Sequence, residues 1–157
     1  FHSSSAGQTE SSADVWGEVP YLVSVSSPEN AEAVPNFVST LTQSELDFRD
    51  TLLHLKPEAD FTGPADTWVG ETQYTEGGRV GSIVIGGVSF TGAEIRQLFS
   101  LRSTAFEIAK TEGGFTFTVT GYGHGVGMSQ YGAKAMAELG YTYDEILEFY
   151  YTDITIK

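Results

Sequence analysis

Four glycines alternate with larger residues in the segment Gly121-Tyr122-Gly123-His124-Gly125-Val126-Gly127. Glycine weakens a strand, because it loses more conformational entropy on folding than other residues and offers no side chain for packing. Four such positions within seven residues predict that another backbone, or a ligand, comes close to this segment. If the segment is extended, its side chains alternate with a period of two, so Tyr122 and His124 share one face.

An aromatic ring beside a titratable donor is one way to build a saccharide site, and we take Tyr122 and His124 as candidates for it. The competing interpretations are core packing for the tyrosine and a structural hydrogen bond for the histidine. The chain has two further histidines. His54 is predicted to lie on a helix face, and His2 lies in a Ser-rich segment where an isolated histidine is normally exposed.

Composition narrows the class of protein. A length of 157 residues with 40% hydrophobic residues suits one domain with its own core. The net charge is −13, and Arg49 and Lys56 are the only basic residues among residues 1–76, so we expect no binding to nucleic acid. The absence of cysteine excludes disulfides, thiol nucleophiles and thiolate metal sites. No apolar run reaches the length of a membrane-spanning helix.

Several common catalytic motifs are missing. There is no HExxH or His-x-x-His pattern for a hydrolytic metal, and Ser129 lacks the second glycine of a G-x-S-x-G elbow. The alternating glycines do not match G-x-G-x-x-G, and no P-loop lysine follows them. Most carboxylates stand in charged surroundings typical of a solvated surface, so no single one stands out as a glycosidic acid.

Local patterns in the first half of the chain predict a strand, a loop and a helix. The apolar run Val19–Ser26 predicts a short strand, and residues 29–40 predict an acidic loop. The series Thr42-Gln43-Ser44-Glu45 fits a capping box that opens a helix ending at Leu55. The expected buried stripe of that helix consists of Leu46, Leu52, Leu53 and Leu55.

The middle of the chain predicts mostly strands. Residues 67–76 and 79–91 indicate two β segments around Gly77-Gly78, with a turn at Gly86-Gly87. A capping box at Thr91–Glu94 opens a short helix. Residues 105–109 and 115–120 then predict a hairpin. In its second strand Phe115, Phe117 and Val119 point to the core, and the threonines between them point away.

The last third predicts two helices and a final strand. Ser129 is the expected N-cap of a helix through Leu139 that Gly140 terminates, and Thr142 opens a helix through Tyr150. Residues 153–157 predict a strand. Hairpin strands mixed with several short helices indicate an α+β fold, which we expect to be the C-terminal part of a single domain.

Three blocks of the sequence together resemble the stage II sporulation protein D family, also described as the amidase-enhancer type. The first runs from Phe1-His2-Ser3-Ser4-Ser5 through Thr9-Glu10 to Trp16-Gly17 and Pro20-Tyr21-Leu22. The second contains Gly92, Ile95-Arg96 and Leu101–Phe106. The third is Gly121–Ala133, with Gly140, Ile146-Leu147 and Tyr150-Tyr151. The resemblance covers nearly all 157 residues.

The resemblance implies an extracytoplasmic protein, secreted or anchored by an upstream membrane segment, that acts on peptidoglycan. Sporulation members of this family are similar to lytic transglycosylases, which cut glycan strands after amidases have removed the stem peptides. One glutamic acid protonates the leaving oxygen and then acts as base while the muramic C6 hydroxyl closes the ring. The resemblance places that glutamate on a helix before the His2 block, so we expect it upstream of Phe1 and no catalytic residue within residues 1–157.

The same resemblance suggests where this chain would hold glycan. Rings that could stack on sugar faces are Trp16, Tyr122 and Tyr131, and groups that could bond hydroxyl or acetamido groups are His2, Ser4, Thr9, His124 and Gln130. Some members look like zinc binders, but here Gln8, Ala13 and Asp14 occupy the corresponding region, so we expect no metal and no other cofactor. The alternative function is a non-catalytic glycan-binding module that activates a cell-wall amidase. The expected partners are therefore peptidoglycan glycan strands and either such an amidase or a membrane-anchored sporulation protein.

Overall fold

Two three-stranded antiparallel sheets and four helices form the fold of the computed structural model, which describes residues 1–157. The strands are β1 Val38–Ser44, β2 Val69–Tyr74, β3 Val80–Ile85, β4 Val88–Thr91, β5 Phe106–Thr111 and β6 Gly114–Thr120. The helices are α1 Glu45–Leu55, α2 Gly92–Leu98, α3 Gln130–Glu138 and α4 Tyr143–Tyr150. The predicted α+β class is confirmed.

The first sheet has the order β1-β6-β5 and contains the predicted hairpin. Phe115, Phe117 and Val119 of β6 are buried, as the alternation of that strand predicts. The strand β1 lies on the other side of β6, within a region for which the sequence predicted a loop and then the start of a helix. Its sequence, VSTLTQS, has one large apolar residue at its centre. It therefore lacks the alternation of apolar and polar residues by which a strand is predicted.

The second sheet, β2-β3-β4, follows the predicted β segments and turns. The central strand β3 buries Val80, Ile83 and Ile85. Helix α2 follows β4 directly, and the predicted capping box is present: the Thr91 hydroxyl accepts from the Glu94 N–H, and the Glu94 carboxylate accepts from the Thr91 N–H.

One main core joins the two sheets to helix α1. Phe48 stacks on Phe115, with 4.0 Å between the ring centroids, and Trp68 also stacks on Phe115, at 5.7 Å. The expected leucine stripe is only partly right. Phe48 and Leu52 are fully buried, whereas Leu46 is 59% exposed and Leu55 is 43% exposed. The helix begins two residues later than predicted, with Ser44 and not Thr42 as its N-cap, and its buried residues are Phe48 and Leu52.

Two predicted strands are absent. Residues 19–26 run alongside residues 8–12 without forming a ladder, because hydroxyl groups take part of the backbone bonding. Thr9 Oγ1 accepts from the Val25 N–H at 2.9 Å, and Ser12 Oγ accepts from the Val19 N–H at 2.8 Å. Residues 153–157 also form no strand, since Asp153 adopts a left-handed backbone with φ of 56° and leaves the extended path.

Helices α3 and α4 form as predicted and pack on each other around a second, small cluster of Met136, Ile146 and Tyr150. The Ser129 hydroxyl accepts from the Gly132 N–H, and Gly140 follows the helix with φ of 95°. The α3 helix lies directly after the glycine segment, so its position is tied to that of His124. None of the four helices has the length and apolarity needed to cross a bilayer.

Candidate functional site

The glycine segment is not a strand. All four of its glycines have positive φ, between 72° and 107°, so the segment winds instead of extending. The expectation that Tyr122 and His124 share one face assumed an extended segment, and that assumption is wrong. Tyr122 lies over the guanidinium of Arg102, at 4.3 Å, while His124 faces Trp16.

The backbone that approaches the glycine segment belongs to the N-terminal residues of the same chain. Ser4 and Tyr122 exchange two backbone hydrogen bonds, of 3.1 and 2.9 Å. The Glu10 N–H donates to the Gly125 carbonyl at 2.9 Å, and the His2 N–H donates to the Met128 carbonyl at 3.0 Å. The sequence predicted that either another backbone or a ligand comes close to the glycine segment. The structure shows that another backbone does so.

Two close approaches explain why side chains are missing at positions 123 and 125. A Cβ atom on Gly123 would lie 2.9 Å from the Cβ of His2. One on Gly125 would lie 2.5 Å from the guanidinium carbon of Arg79. Contacts this short are not tolerated between carbon atoms, so the glycines allow the histidine and the arginine to pack directly against main chain.

Arg79 is fully buried beneath the glycine segment. Its Nη1 donates to the Gly123 carbonyl at 2.9 Å, while Nε and Nη2 have no hydrogen-bond partner. Burial lowers the pKa of the guanidinium to about 10, and the nearby Glu10 carboxylate opposes this shift. The side chain remains a cation at neutral pH and imposes a positive field on the groups around it.

Glu10 is the buried carboxyl group of this region, with 2% of its surface exposed. The Thr75 hydroxyl donates to its Oε1 at 2.6 Å. Gly77 makes room for it, because a Cβ there would lie 2.0 Å from the same oxygen. Burial raises the pKa of Glu10, and the Thr75 hydrogen bond and the Arg79 charge only partly offset this effect.

His124 is half-buried, and one of its two ring nitrogens has a backbone hydrogen-bond partner. Its Nδ1 accepts a hydrogen bond from the Val126 N–H at 3.0 Å, so the neutral ring carries its proton on Nε2. Burial lowers its pKa. Trp16 packs edge-on against it, with 5.1 Å between ring centroids, and is itself 57% exposed.

A cavity of about 410 Å³ opens between these groups, the β2–β3 hairpin and helix α2. Its size falls in the range of small-molecule sites. Its lining combines carboxylates, hydroxyls, a guanidinium, an imidazole and small apolar side chains. The lining residues are Glu10, Asp14, Val15, Thr75, Val80, Gly81, Thr91, Ala93, Arg96, Thr104 and His124.

The structure distributes the eight predicted site residues over three environments. His124 lines the cavity, and Trp16 contacts it. His2, Ser4 and Thr9 are buried in the contact between the N-terminal segment and its neighbours. Tyr122 and Gln130 are exposed, and Tyr131 is half-buried on α3; none of these three lines the cavity. Their roles in sugar binding remain predictions.

His2 shows how a predicted exposed residue becomes part of the interior. It is 4% exposed, its Nε2 lies 2.7 Å from the Ser5 hydroxyl, and its Nδ1 lies 3.3 Å from the Val126 carbonyl. Burial lowers its pKa to about 4, so the ring is neutral at physiological pH. Because Nδ1 faces a carbonyl, it carries the proton, and Nε2 accepts from Ser5.

The sequence analysis did not single out Glu10 or Arg79. Glu10 stands among serines and threonines, where an acidic residue is normally solvated, and Arg79 follows a turn. The only available signal was that Glu10 is the single Asp, Glu, Lys or Arg within residues 1–13. Nowhere in residues 1–157 do three or more His, Asp or Glu side chains stand close enough together to hold a metal ion.

Comparison with known proteins adds an independent observation. No family model matches the chain. Stage II sporulation protein D of Bacillus amyloliquefaciens is 38% identical over 158 residues, an alignment that covers 100% of this chain and 44% of the relative. The protein of the same name from Bacillus subtilis (strain 168) has the same identity and coverage. The similarity to these two relatives supports the resemblance of this chain to the stage II sporulation protein D family.

A more distant relative carries the other name of that family. The protein named Amidase enhancer of Bacillus subtilis (strain 168) is 28% identical over 207 residues, covering 99% of this chain and 29% of the relative. The chain thus spans less than half the length of the curated relatives it matches. The similarity to both kinds of protein supports a role connected with the cell wall.

Proposed function

We propose that this chain supplies the glycan-binding groove of an extracytoplasmic protein that cleaves peptidoglycan strands, in the manner of a lytic transglycosylase acting on peptide-stripped glycan. The single observation that carries this proposal is the polar cavity beside the contact between the exposed Trp16 and the half-buried His124. An exposed aromatic ring next to hydroxyls and a neutral imidazole offers a stacking surface and hydrogen-bonding groups together, which is what a sugar requires.

In this proposal the residues of the chain bind and orient the strand. His124 Nε2 donates to a sugar oxygen, while Val126 holds the opposite nitrogen and fixes the ring. Trp16 covers one face of the sugar. The acid that protonates the glycosidic oxygen is expected on a helix outside residues 1–157, so within this proposal the chain contributes positioning and transition-state binding.

The test has a binding arm and an activity arm. Binding of this chain to purified glycan strands is measured by calorimetry, with strands that retain their stem peptides as the comparison. The protein that contains the chain at its natural length is then incubated with peptide-stripped strands, and the products are analysed for anhydro-muramic ends. Specific binding together with such ends supports the proposal. Absence of binding by this chain overturns it.

A second function is favoured by the relative named Amidase enhancer. In this alternative the chain is a non-catalytic module that binds glycan and activates a cell-wall amidase, with the amidase or a membrane-anchored sporulation protein as its partner. The deciding measurement is the turnover of a cell-wall amidase with and without the protein. Stimulation without anhydro-muramic products supports the alternative, and cleavage without stimulation supports the first proposal.

A further inference from the structure

Glu10 differs from the other acidic residues of the chain because it is buried and yet lines a cavity. The structure gives its carboxyl group one side-chain partner, Thr75, which donates to Oε1. The second oxygen, Oε2, has no hydrogen-bond partner in the protein but keeps some solvent exposure, and the residue borders the cavity of about 410 Å³. A polar atom that is left accessible in this way can form a hydrogen bond with a ligand or with water.

The position of Glu10 is fixed from three directions. Its own N–H is bound to the Gly125 carbonyl, its Oε1 is bound to Thr75, and the bare backbone of Gly77 packs against the same oxygen. A carboxyl group held in this way presents Oε2 at a defined place with little loss of entropy on binding. The arrangement is thus preorganised for one further contact.

The rest of the cavity indicates what that contact would be. Three threonines, Thr75, Thr91 and Thr104, line it together with the apolar residues Val15, Val80 and Ala93. An acetamido group combines a methyl, an N–H and a carbonyl oxygen within a few ångströms. The methyl suits the apolar wall, and the carbonyl needs a donor that a protonated carboxyl group provides.

We propose that Glu10 binds the acetamido group of an N-acetylated amino sugar as a neutral carboxylic acid, donating its proton from Oε2 to the acetamido carbonyl. The proposal rests on the proposed function, since it names a subsite for the same class of ligand. It predicts that the affinity for N-acetylated sugars falls as pH rises and Glu10 ionises, because a carboxylate has no proton to donate and repels the carbonyl oxygen.

The charges around Glu10 agree with a neutral form. Burial raises the pKa of Glu10, and the neighbouring acidic groups act in the same direction. Arg79 opposes them, but its charge lies outside salt-bridge distance of any carboxylate. The charged or titratable groups that influence Glu10 or line its cavity are Asp14 on its own segment, Glu76 and Arg79 on the β2–β3 hairpin, His124 on the glycine segment and Arg96 on α2.

Replacing Glu10 by glutamine provides a sharp test, because an amide keeps an N–H donor at every pH. Binding of chitin oligomers, which carry acetamido groups, is measured by calorimetry as a function of pH for the unmodified chain and for Glu10→Gln. We expect the unmodified chain to lose about tenfold in affinity as pH rises across the ionisation of Glu10. Glu10→Gln should show no such loss, and Glu10→Ala should bind weakly throughout.

Two controls separate this subsite from other effects. Glu107→Gln makes the same chemical change at an exposed position on β5, outside the cavity, and should leave the pH profile unchanged. Chitosan oligomers, which have amino groups in place of acetamido groups, should bind more weakly than chitin oligomers at pH values where Glu10 is protonated. Equal binding of the two oligomers overturns the assignment of an acetamido subsite.

A spectroscopic measurement does not depend on any variant. The carboxyl carbon of Glu10, labelled with carbon-13, is titrated by NMR with and without saturating chitin oligomer. Because the sugar binds the protonated form, we expect its presence to raise the pKa of Glu10. An unchanged or lowered pKa overturns the inference. If the unmodified chain binds no glycan at any pH, the proposed function itself fails, whereas binding with a flat pH profile overturns only the role of Glu10.

Discussion

Gly125 lies directly against the guanidinium of Arg79, so close that a Cβ at this glycine would stand 2.5 Å from the guanidinium carbon. The contact joins the glycine segment to the β2–β3 hairpin at the residue that follows His124. It shows that the glycines of this segment are needed for close packing. They allow a charged side chain and the N-terminal segment to be buried under main chain, and the cavity beside them is a consequence of that packing.

The first prediction concerns this contact. We expect Gly125→Ala to lower the free energy of unfolding by about 3 kcal/mol or more, because alanine is strained at φ of 86° and also collides with Arg79. The control is Gly113→Ala in the β5–β6 turn. Gly113 has a similar φ of 72°, but a Cβ there would meet no atom within 4 Å. This variant should lose only about 1 kcal/mol.

Chemical denaturation of the two variants measures the difference directly. Since both glycines have a positive φ of similar size, we attribute the additional loss in Gly125→Ala to the collision with Arg79. Equal losses would show that the arginine moves aside easily and that the glycine is required only for its backbone conformation.

The second prediction concerns stability at acidic pH. The pKa of His2 falls from 6.5 to about 4 on folding, so the unfolded chain binds more protons than the folded chain between these values. Stability should therefore decrease as pH falls from about 6.5 to about 4, by roughly 3 kcal/mol at this site. His124, whose pKa is also lowered, contributes with the same sign.

Glu10 acts in the opposite direction over part of the same range. Its folded pKa is raised above 4.5, so its contribution to stability is present at low pH and is lost as pH rises through the folded value. Denaturation curves at several pH values for the unmodified chain, His2→Gln and Glu10→Gln separate the two effects. A pH dependence that is identical in the unmodified chain and His2→Gln would contradict the assignment to His2.

The third prediction tests the exposed aromatic ring at the cavity. If Trp16 covers a sugar face, Trp16→Ala should weaken glycan binding about tenfold, through loss of roughly 1–2 kcal/mol of stacking energy. Its 57% exposure means that the free energy of unfolding should change by no more than about 1 kcal/mol. Tyr74→Ala removes another exposed ring, away from the cavity, and should leave binding intact. An equal effect of both changes would indicate non-specific contact.

The fourth prediction concerns the corrected face of helix α1. Leu52 is fully buried and Leu46 is 59% exposed, although the sequence pattern assigned both to one buried stripe. Leu52→Ala should cost about 2–5 kcal/mol of unfolding free energy, whereas Leu46→Ala should cost less than about 1 kcal/mol. The same side chain is removed in both cases, so denaturation reports burial alone. Comparable losses would indicate that Leu46 is as buried as Leu52 and would reject the buried face described above.

The elements that the sequence predicted well are those whose signals are local. The capping boxes at Thr91 and Thr142, the N-cap at Ser129 and the terminating Gly140 all form as expected, because each satisfies backbone groups only a few residues away. The alternation in β6 was equally local. Strand β1 was missed and residues 19–26 were assigned to a strand, since in both cases partners distant in sequence decide the backbone bonding.

The candidate site shows the same difference between local signals and contacts of residues distant in sequence. The sequence alone singled out the glycine segment, the candidates His124 and Trp16, and the resemblance to the stage II sporulation protein D family, because each rests on residue types in a short, ordered pattern. Only the tertiary structure decided that the N-terminal segment fills the space beside the glycines, that His2, Ser4 and Thr9 are interior, and that Glu10 and Arg79 lie beside His124. Burial and electrostatic environment are properties of assembled neighbours, and residues 10, 79 and 124 meet only when the chain has folded.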